Sequence, residues 1–298
     1  MTGCLPRTCL LLGASSQLGD RVLPRLLAAD YRVHAVSRLA PAAPTAEPLA
    51  QEQLHWHAID LNTVQAWPAQ VSVVVHLAPL YLLPTLLRYA PSALRVIAIS
   101  STSVRTKQYS PSKAERLMAQ RLCQAEQELQ QLCKEKGHSL TILRPTMLYG
   151  LGRDATIGRM QTFVRRWRFL PIPAAESGLR QPVHVEDVAA AIVQVLDEPR
   201  CVGRIYELGG AQRLTVKQLA QCICLDNDLT VRIITIPVSI LSMLLSVLAF
   251  IRPGLDWSPA LIKRAALDQV ADNQAAIDDF QYAPRPFNGT FYPLQKRD

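Results

Sequence analysis

Near the amino end, Gly13-Ala-Ser-Ser-Gln-Leu-Gly19 gathers residue types suited to binding phosphate. A pyrophosphate requires a tight turn, a backbone it can approach closely, and free N–H groups at a helix N-terminus, where the helix dipole favours negative charge. Gly13 and Gly19 suit the turn and a close helix-to-strand contact, and Ser15, Ser16, Gln17 and Leu18 between them supply backbone donors. Ser16 occupies the place of an expected middle glycine, which narrows the approach and adds a hydroxyl. Two glycines six residues apart also occur in ordinary strand-to-helix turns. An apolar strand before the loop, a helix after it and a second strand beyond them favour a dinucleotide. That second strand ends at Val36-Ser37-Arg38, where a site for NAD places an acid on the ribose hydroxyls. No acid is present, and Ser37 with Arg38 suits a 2′-phosphate, so NADP is favoured over NAD; a solvated arginine at a strand end is the plainer alternative.

Other reactive side chains carry less. His55 and His57 alternate on a strand with no acidic or cysteine partner nearby, and no metal site is expected there. His184 and Asp187 precede an apolar helix and read first as a cap. Cys222 and Cys224, two apart in an apolar helix, do not share a face and read as core.

The elements that must position these residues follow from hydrophobic periodicity. Strands are expected at Thr8–Leu12, Arg32–Val36, Leu54–Ile59, Val71–Leu77, Arg95–Ser100 and Ser139–Leu143. Runs such as Val71-Ser-Val-Val-Val-His-Leu77 are the pattern of strands buried on both faces of a parallel sheet, and their alternation with helices implies a doubly wound α/β fold. The first helix is expected from near Ser16, with a kink or an early end at Pro24. Leu39 to Pro48, rich in Ala and Pro, reads as a loop. Later elements are helices at Gln161–Arg168, Val185–Leu196 and Thr215–Cys224 and a strand at Arg204–Leu208. Residues 1–150 form the expected dinucleotide-binding domain and 151–298 a smaller α/β substrate region, with 181–200 packing back on the first.

The ordered set of motifs resembles the extended short-chain dehydrogenase/reductases, the NAD-dependent epimerase/dehydratase family. It comprises Gly13-x-x-Ser16-x-x-Gly19, Asp60-Leu61, His76-Leu-Ala-Pro79, Ile99-Ser-Ser-Thr-Ser103 and Leu143-Arg-Pro-Thr-Met-Leu-Tyr-Gly150. Gln181-Pro-Val-His-Val-Glu-Asp-Val-Ala189 and Tyr206-Glu-Leu-Gly-Gly210 extend it over nearly the whole chain. The resemblance implies a Rossmann-type fold, Asp60 and Leu61 near an adenine, Leu77 and Ala78 lining the cofactor, and Thr102 as the catalytic Ser/Thr. By analogy with sugar-nucleotide epimerases, Arg180 would meet a substrate phosphate. Active members use a Tyr-x-x-x-Lys pair in which lysine lowers the tyrosine pKa, and Tyr109-Ser-Pro-Ser-Lys113 spells it. Tyr109, however, follows Thr102 by only seven residues. Counting back along a helix that ends near Lys136 puts the site level with Leu117–Arg121 instead, and Pro111 disfavours helical geometry at Ser110. Either Tyr109 and Lys113 reach the site, or Leu117 and Arg121 stand in their places.

Composition sets the frame. The 298 residues, 49% hydrophobic and 19% charged, exclude a disordered chain and a small cysteine framework. Seven cysteines without a Cys-x-x-Cys pair fit a reducing cytoplasm, and no signal peptide is read. The net charge of +8 is dispersed, its densest cluster being Arg165, Arg166 and Arg168 around Trp167. No nucleic-acid motif accompanies it. Ile233–Ile251 carries no charge over 19 residues, but Pro237 divides it into a strand and an apolar helix, Val238–Ile251. A packed, buried helix is favoured over interfacial contact or a membrane span. Three functions remain: a hydride-transferring oxidoreductase or epimerase on a sugar nucleotide or other carbonyl/hydroxyl substrate, a cofactor-binding assembly or sensing module without turnover, and a peripheral membrane enzyme on a lipid-linked substrate.

Overall fold

The computed structural model describes residues 7–38, 53–64, 66–67, 70–152, 157–174, 178–225, 231–241, 243 and 267–288. The first half holds β1 (Thr8–Leu12), α1 (Gly19–Ala28), β2 (Arg32–Ser37), β3 (Leu54–Ala58), β4 (Val73–His76), α2 (Leu83–Leu87), β5 (Arg95–Ile99), α3 (Ser103–Thr106), α4 (Lys113–Lys136), β6 (Ser139–Pro145) and β7 (Leu148–Tyr149). The second holds α5 (Ile157–Trp167), β8 (Phe169–Pro173), β9 (Val183–His184), α6 (Val185–Leu196), β10 (Ile205–Leu208), α7 (Val216–Leu225), β11 (Arg232–Ile236) and α8 (Gln274–Phe280).

Seven strands form one parallel sheet in the order β10-β6-β5-β4-β1-β2-β3. Leu10, Leu11 and Leu12 are fully buried, as are Val74 and Val75, because helices cover both faces. On one face α1, α6 and α8 bury Val22, Leu26, Val188, Ile192 and Phe280. On the other, α2 and α4 bury Leu83, Leu87 and Leu129 against Leu10 and Val74. The chain runs outward from β1 to β3 and then returns to place β4 on the other side of β1. This reversal opens a crevice at the carboxyl ends of β1 and β4, the usual place for a ligand in such sheets.

The second half contributes to the same sheet, since β10 pairs with β6. The helix α6 lies against α1, where Glu186 accepts ion pairs from Arg21 (3.0 Å) and Arg25. A smaller unit lies apart from the main sheet: β8 and β11 pair in parallel, and Val164, Leu170, Ile172 and Ala220 of α5, β8 and α7 form its core.

Two expectations are corrected. Of the kink or early end expected at Pro24, the early end does not occur: α1 runs on to Ala28, and Val22 and Leu26 on either side of the proline are fully buried. Ile240 and Met243, expected to be buried within Val238–Ile251, are exposed; among the described residues β11 pairs with β8 alone. The rest of Val238–Ile251, and the loop from Leu39 to Pro48, lie outside the described residues. No helix among the described residues is long and apolar enough to cross a membrane.

Candidate functional site

At the end of β1, Gly13 has φ +80°, and a Cβ there would lie 2.8 Å from the Ala78 nitrogen. Only glycine lets the turn rest against the loop leaving β4. The N–H groups of Gly13 and Ala14 donate to the Val36 carbonyl at 3.0 and 3.1 Å, fixing the turn on β2. Gly19 packs on the same turn, since a Cβ there would come 2.2 Å from the Ala14 oxygen. The Ser16 hydroxyl accepts the Gly19 N–H at 3.0 Å, so it serves as an internal cap of α1. Gln17 and Leu18 then present N–H groups with no acceptor among the described residues at the N-terminal mouth of α1. Ser15 is exposed beside them. A close-approach turn with free donors on a helix dipole fits a dinucleotide pyrophosphate. The Gln17 carboxamide donates to the Gly150 carbonyl and joins this loop to the segment after β6.

The crevice walls come from the neighbouring strands. Ser37 is buried at the end of β2 and Arg38 is exposed beyond it. Asp60 accepts the Asn62 backbone N–H at 3.0 Å and its side-chain amide at 2.7 Å. These bonds, with the charge of Arg38, hold its carboxyl below the usual range. Leu61, Leu77 and Ala78 are half-buried. Beneath Ala78, His76 is fully buried, its Nε2 is 3.1 Å from the Pro79 carbonyl, and burial pushes its pKa down to about 4. A neutral His76 therefore pins the turn that Gly13 touches.

Above β5 and β6 the candidate catalytic residues separate. Thr102 is 4% exposed, and both its N–H (3.2 Å) and hydroxyl (3.4 Å) donate to the Pro145 carbonyl. Ser101, one residue earlier, is only half-buried, with its hydroxyl 3.0 Å from that of Ser103. Tyr109 is 83% exposed on a loop. Lys113 is the first residue of α4, which Ser112 caps by accepting the Glu115 N–H. The height of this helix is set by Glu126, a buried acid that accepts the Ser100 hydroxyl and pairs with Arg144 of β6, whose Nε lies 2.9 Å away. Ser100 marks the top of β5. Lys113 precedes Glu126 by 13 residues, about 20 Å along a helix. Leu117 and Arg121 are nine and five residues before it, about 14 and 8 Å. Both are at least half-exposed on the segment of α4 that rises from the sheet.

The sequence reading passed over Glu126, Arg144 and Ser101. Glu126 was signalled by a lone acid within the apolar stripe Leu122, Ala125, Leu129 and Cys133. Arg180 is buried and donates to the carbonyls of Leu179 (3.0 Å) and Leu267 (2.7 Å), which ties it to the carboxyl-terminal segment. His184 accepts the Glu186 N–H at 3.2 Å as the cap of α6, and Asp187 accepts the Arg285 guanidinium at 2.7 Å. His34, His55 and His57 gather on β2 and β3, with His34 Nδ1 2.9 Å from His57 Nε2. Among the described residues no group of His, Cys, Asp or Glu has the geometry to hold a metal.

A family model for the NAD-dependent epimerase/dehydratases matches residues 9–99 and 85–209. Over 82 residues the chain is 40% identical to the mitochondrial NADH dehydrogenase [ubiquinone] 1 alpha subcomplex subunit 9 of Arabidopsis thaliana; the match covers 27% of this chain and 20% of that relative's length. In fold it is similar to UDP-glucuronic acid 4-epimerase of Bacillus cereus in complex with NAD, at TM-score 0.70 and 15% identity over 95% of both chains. It is also similar to the terminal R domain of the myxalamid biosynthetic pathway, at TM-score 0.73 and 18% identity over 97% of this chain and 89% of that one. The family match takes in the glycine turn, the strand ends around the crevice and the last strand of the main sheet, and the chain belongs to the NAD-dependent epimerase/dehydratase family.

Proposed function

We propose that the chain is an NADP(H)-binding oxidoreductase of the epimerase/dehydratase type in which the cofactor half of the site is complete and the proton-transfer half is rebuilt. The observation that carries this reading is the Gly13 and Gly19 turn, closed to any side chain yet open at the Gln17 and Leu18 N–H groups. These donors, with Ser15 and Ser16 beside them, would hold the pyrophosphate. Arg38 and Ser37 would meet the 2′-phosphate, Asp60 and Leu61 would flank the adenine, and Leu77 and Ala78 the rest of the dinucleotide. A bound nicotinamide supplies or accepts hydride.

Proton handling is where this chain departs from the Tyr-x-x-x-Lys pattern. An exposed Tyr109 and a Lys113 about 20 Å along α4 from the top of the sheet support a displaced pair. At the alternative level Arg121 stays protonated and can hold a ribose hydroxyl, while Leu117 carries no proton. The partly exposed Ser101 hydroxyl, more open than Thr102, is then the group placed to orient a substrate carbonyl or a water. Loss of a general acid/base costs about 10²- to 10⁴-fold in rate, so turnover of common sugar nucleotides is expected to be weak or absent. Arg180, buried and bonded to the Leu267 carbonyl, would be the contact for a substrate phosphate.

A second reading, a cofactor-binding module serving an assembly, is favoured by the exposed Tyr109 together with a relative named as a subunit of NADH dehydrogenase. The free thiols of Cys9 and Cys133, both buried, suit a reducing compartment such as the cytoplasm. Titration calorimetry with NADPH, followed by turnover assays on UDP-glucose and UDP-glucuronic acid with Tyr109→Phe as the control, tests the proposal. NADPH binding with slow turnover that Tyr109→Phe barely changes is expected. Binding without conversion of any carbonyl or sugar nucleotide favours the module. A several-hundredfold fall in kcat for Tyr109→Phe, with NADPH affinity unchanged, overturns the displaced pair.

A further inference from the structure

The small unit built on β8 and β11 carries a surface that the cofactor crevice does not use. Side chains alternate across a strand, and Ile233 packs into the core with Leu170 and Val164. Ile234 and its register partner Pro171 therefore face the other way, and Ile234 is 44% exposed. The apolar surface continues past Pro237 with Ile240, 46% exposed, and Met243, 61% exposed. At the opposite end of the sheet Trp167 is 54% exposed, with the Arg166 guanidinium 5.5 Å from its ring centroid. Backbone pairing brings Arg232 beside Arg168, whose carbonyl accepts the Arg232 N–H at 3.1 Å.

Charge decides what fits this surface. The elements α5, β8, α7, β11 and residues 238–243 contain no Asp or Glu, yet they carry Arg159, Arg165, Arg166, Lys217 and Arg232, with Arg168 between α5 and β8. A second copy docked isologously would bring these cations face to face. An anionic bilayer instead neutralises them while taking up the apolar side chains, and an amphipathic indole beside arginines suits the headgroup boundary. We propose that the face of β8 and β11 turned away from the α5 core, with the end of α5 at its rim through the Trp167–Phe163–Phe169 ring contacts, docks on the surface of an anionic lipid bilayer, with Trp167, Ile234, Ile240 and Met243 entering the headgroup boundary and Arg166, Arg168 and Arg232 meeting lipid phosphates. The proposal is independent of any catalytic activity.

Sedimentation of the full chain with vesicles of phosphatidylcholine plus phosphatidylglycerol, against phosphatidylcholine alone, provides the test. Binding is expected only to the anionic vesicles, weakened by salt, with a blue shift of tryptophan emission that Trp167→Phe abolishes. Each arginine contributes roughly fivefold, so the triple variant Arg166→Glu, Arg168→Glu and Arg232→Glu should lower partitioning by about 100-fold. Unchanged urea unfolding midpoints keep the variants comparable, and Trp167→Phe provides a readout should the triple variant fail to fold. A triple variant that sediments like the parent, or a parent that stays in the supernatant with anionic vesicles, overturns the proposal. So does concentration-dependent dimerisation without vesicle binding that Ile234→Asp abolishes, which assigns the face to a second copy.

Discussion

At the scale of single residues, the crevice depends on the absence of two side chains and the presence of one charge. A methyl group at Gly13 meets both a backbone at φ +80° and the Ala78 nitrogen at 2.8 Å. Gly13→Ala is expected to cost about 1–3 kcal/mol of stability through backbone strain alone, read as a lower urea midpoint, and to abolish NADPH binding in calorimetry. In the proposed NADP(H) site Arg38 would act on one phosphate. Hydrogen bonds to charged groups contribute about 1.5–3 kcal/mol, so Arg38→Ala should weaken NADPH by roughly 10- to 100-fold while leaving NADH nearly unchanged. Equal losses for both nucleotides would remove the 2′-phosphate assignment.

At the scale of elements, α4 carries Lys113, Leu117 and Arg121, and its height on the sheet is fixed by one buried acid. Glu126 joins Ser100 of the β5 end to Arg144 of β6. The Arg144 guanidinium is held above its ordinary pKa, chiefly by its hydrogen bond to Glu126, with the carboxylate charge adding to it. Removing one partner of a buried pair leaves the other uncompensated, at a cost of about 3–5 kcal/mol. Glu126→Ala is therefore expected to lower stability by that order in urea denaturation, whereas the exposed pair Arg88–Glu128, between the end of α2 and α4, should be worth under about 1 kcal/mol when broken. A loss below 1 kcal/mol for Glu126→Ala would mean that packing, not this pair, sets the position of α4.

At the scale of the whole molecule, four histidines wholly or partly withdrawn from water set the response to acid. His34, His76, His138 and His184 all lie below the ordinary histidine pKa, each first because burial disfavours the charged ring. His76 moves furthest, from 6.5 to about 4. Between those values the unfolded chain binds protons that the folded chain refuses. Stability present above pH 6.5 is thus lost as pH falls toward 4, by about 3 kcal/mol for His76 alone. Urea midpoints should fall between about pH 7 and pH 5, and His76→Gln should reduce the slope. A flat profile would show that these rings are solvated.

Chain-local signals determined the parallel sheet, the strand positions and the phosphate turn. Val73–Val75 and Leu10–Leu12 could be buried on both faces only in a parallel sheet, and Gly13, Gly19 and the missing acid after Val36 are read within one βαβ unit. Pro24 does not stop the helix because its local cost is outweighed by the burial of Val22 and Leu26, which only the assembled sheet provides. Ile240 and Met243 misled in the opposite direction: hydropathy says that they avoid water, not that a neighbour exists to cover them, and among the described residues β11 has only β8 beside it. The register of α4 on the sheet is likewise tertiary. The spacing from Thr102 and the length of α4 hinted at it, but the register between helix and sheet is fixed by Glu126 reaching Ser100 and Arg144, 26 residues back and 18 residues on in the chain.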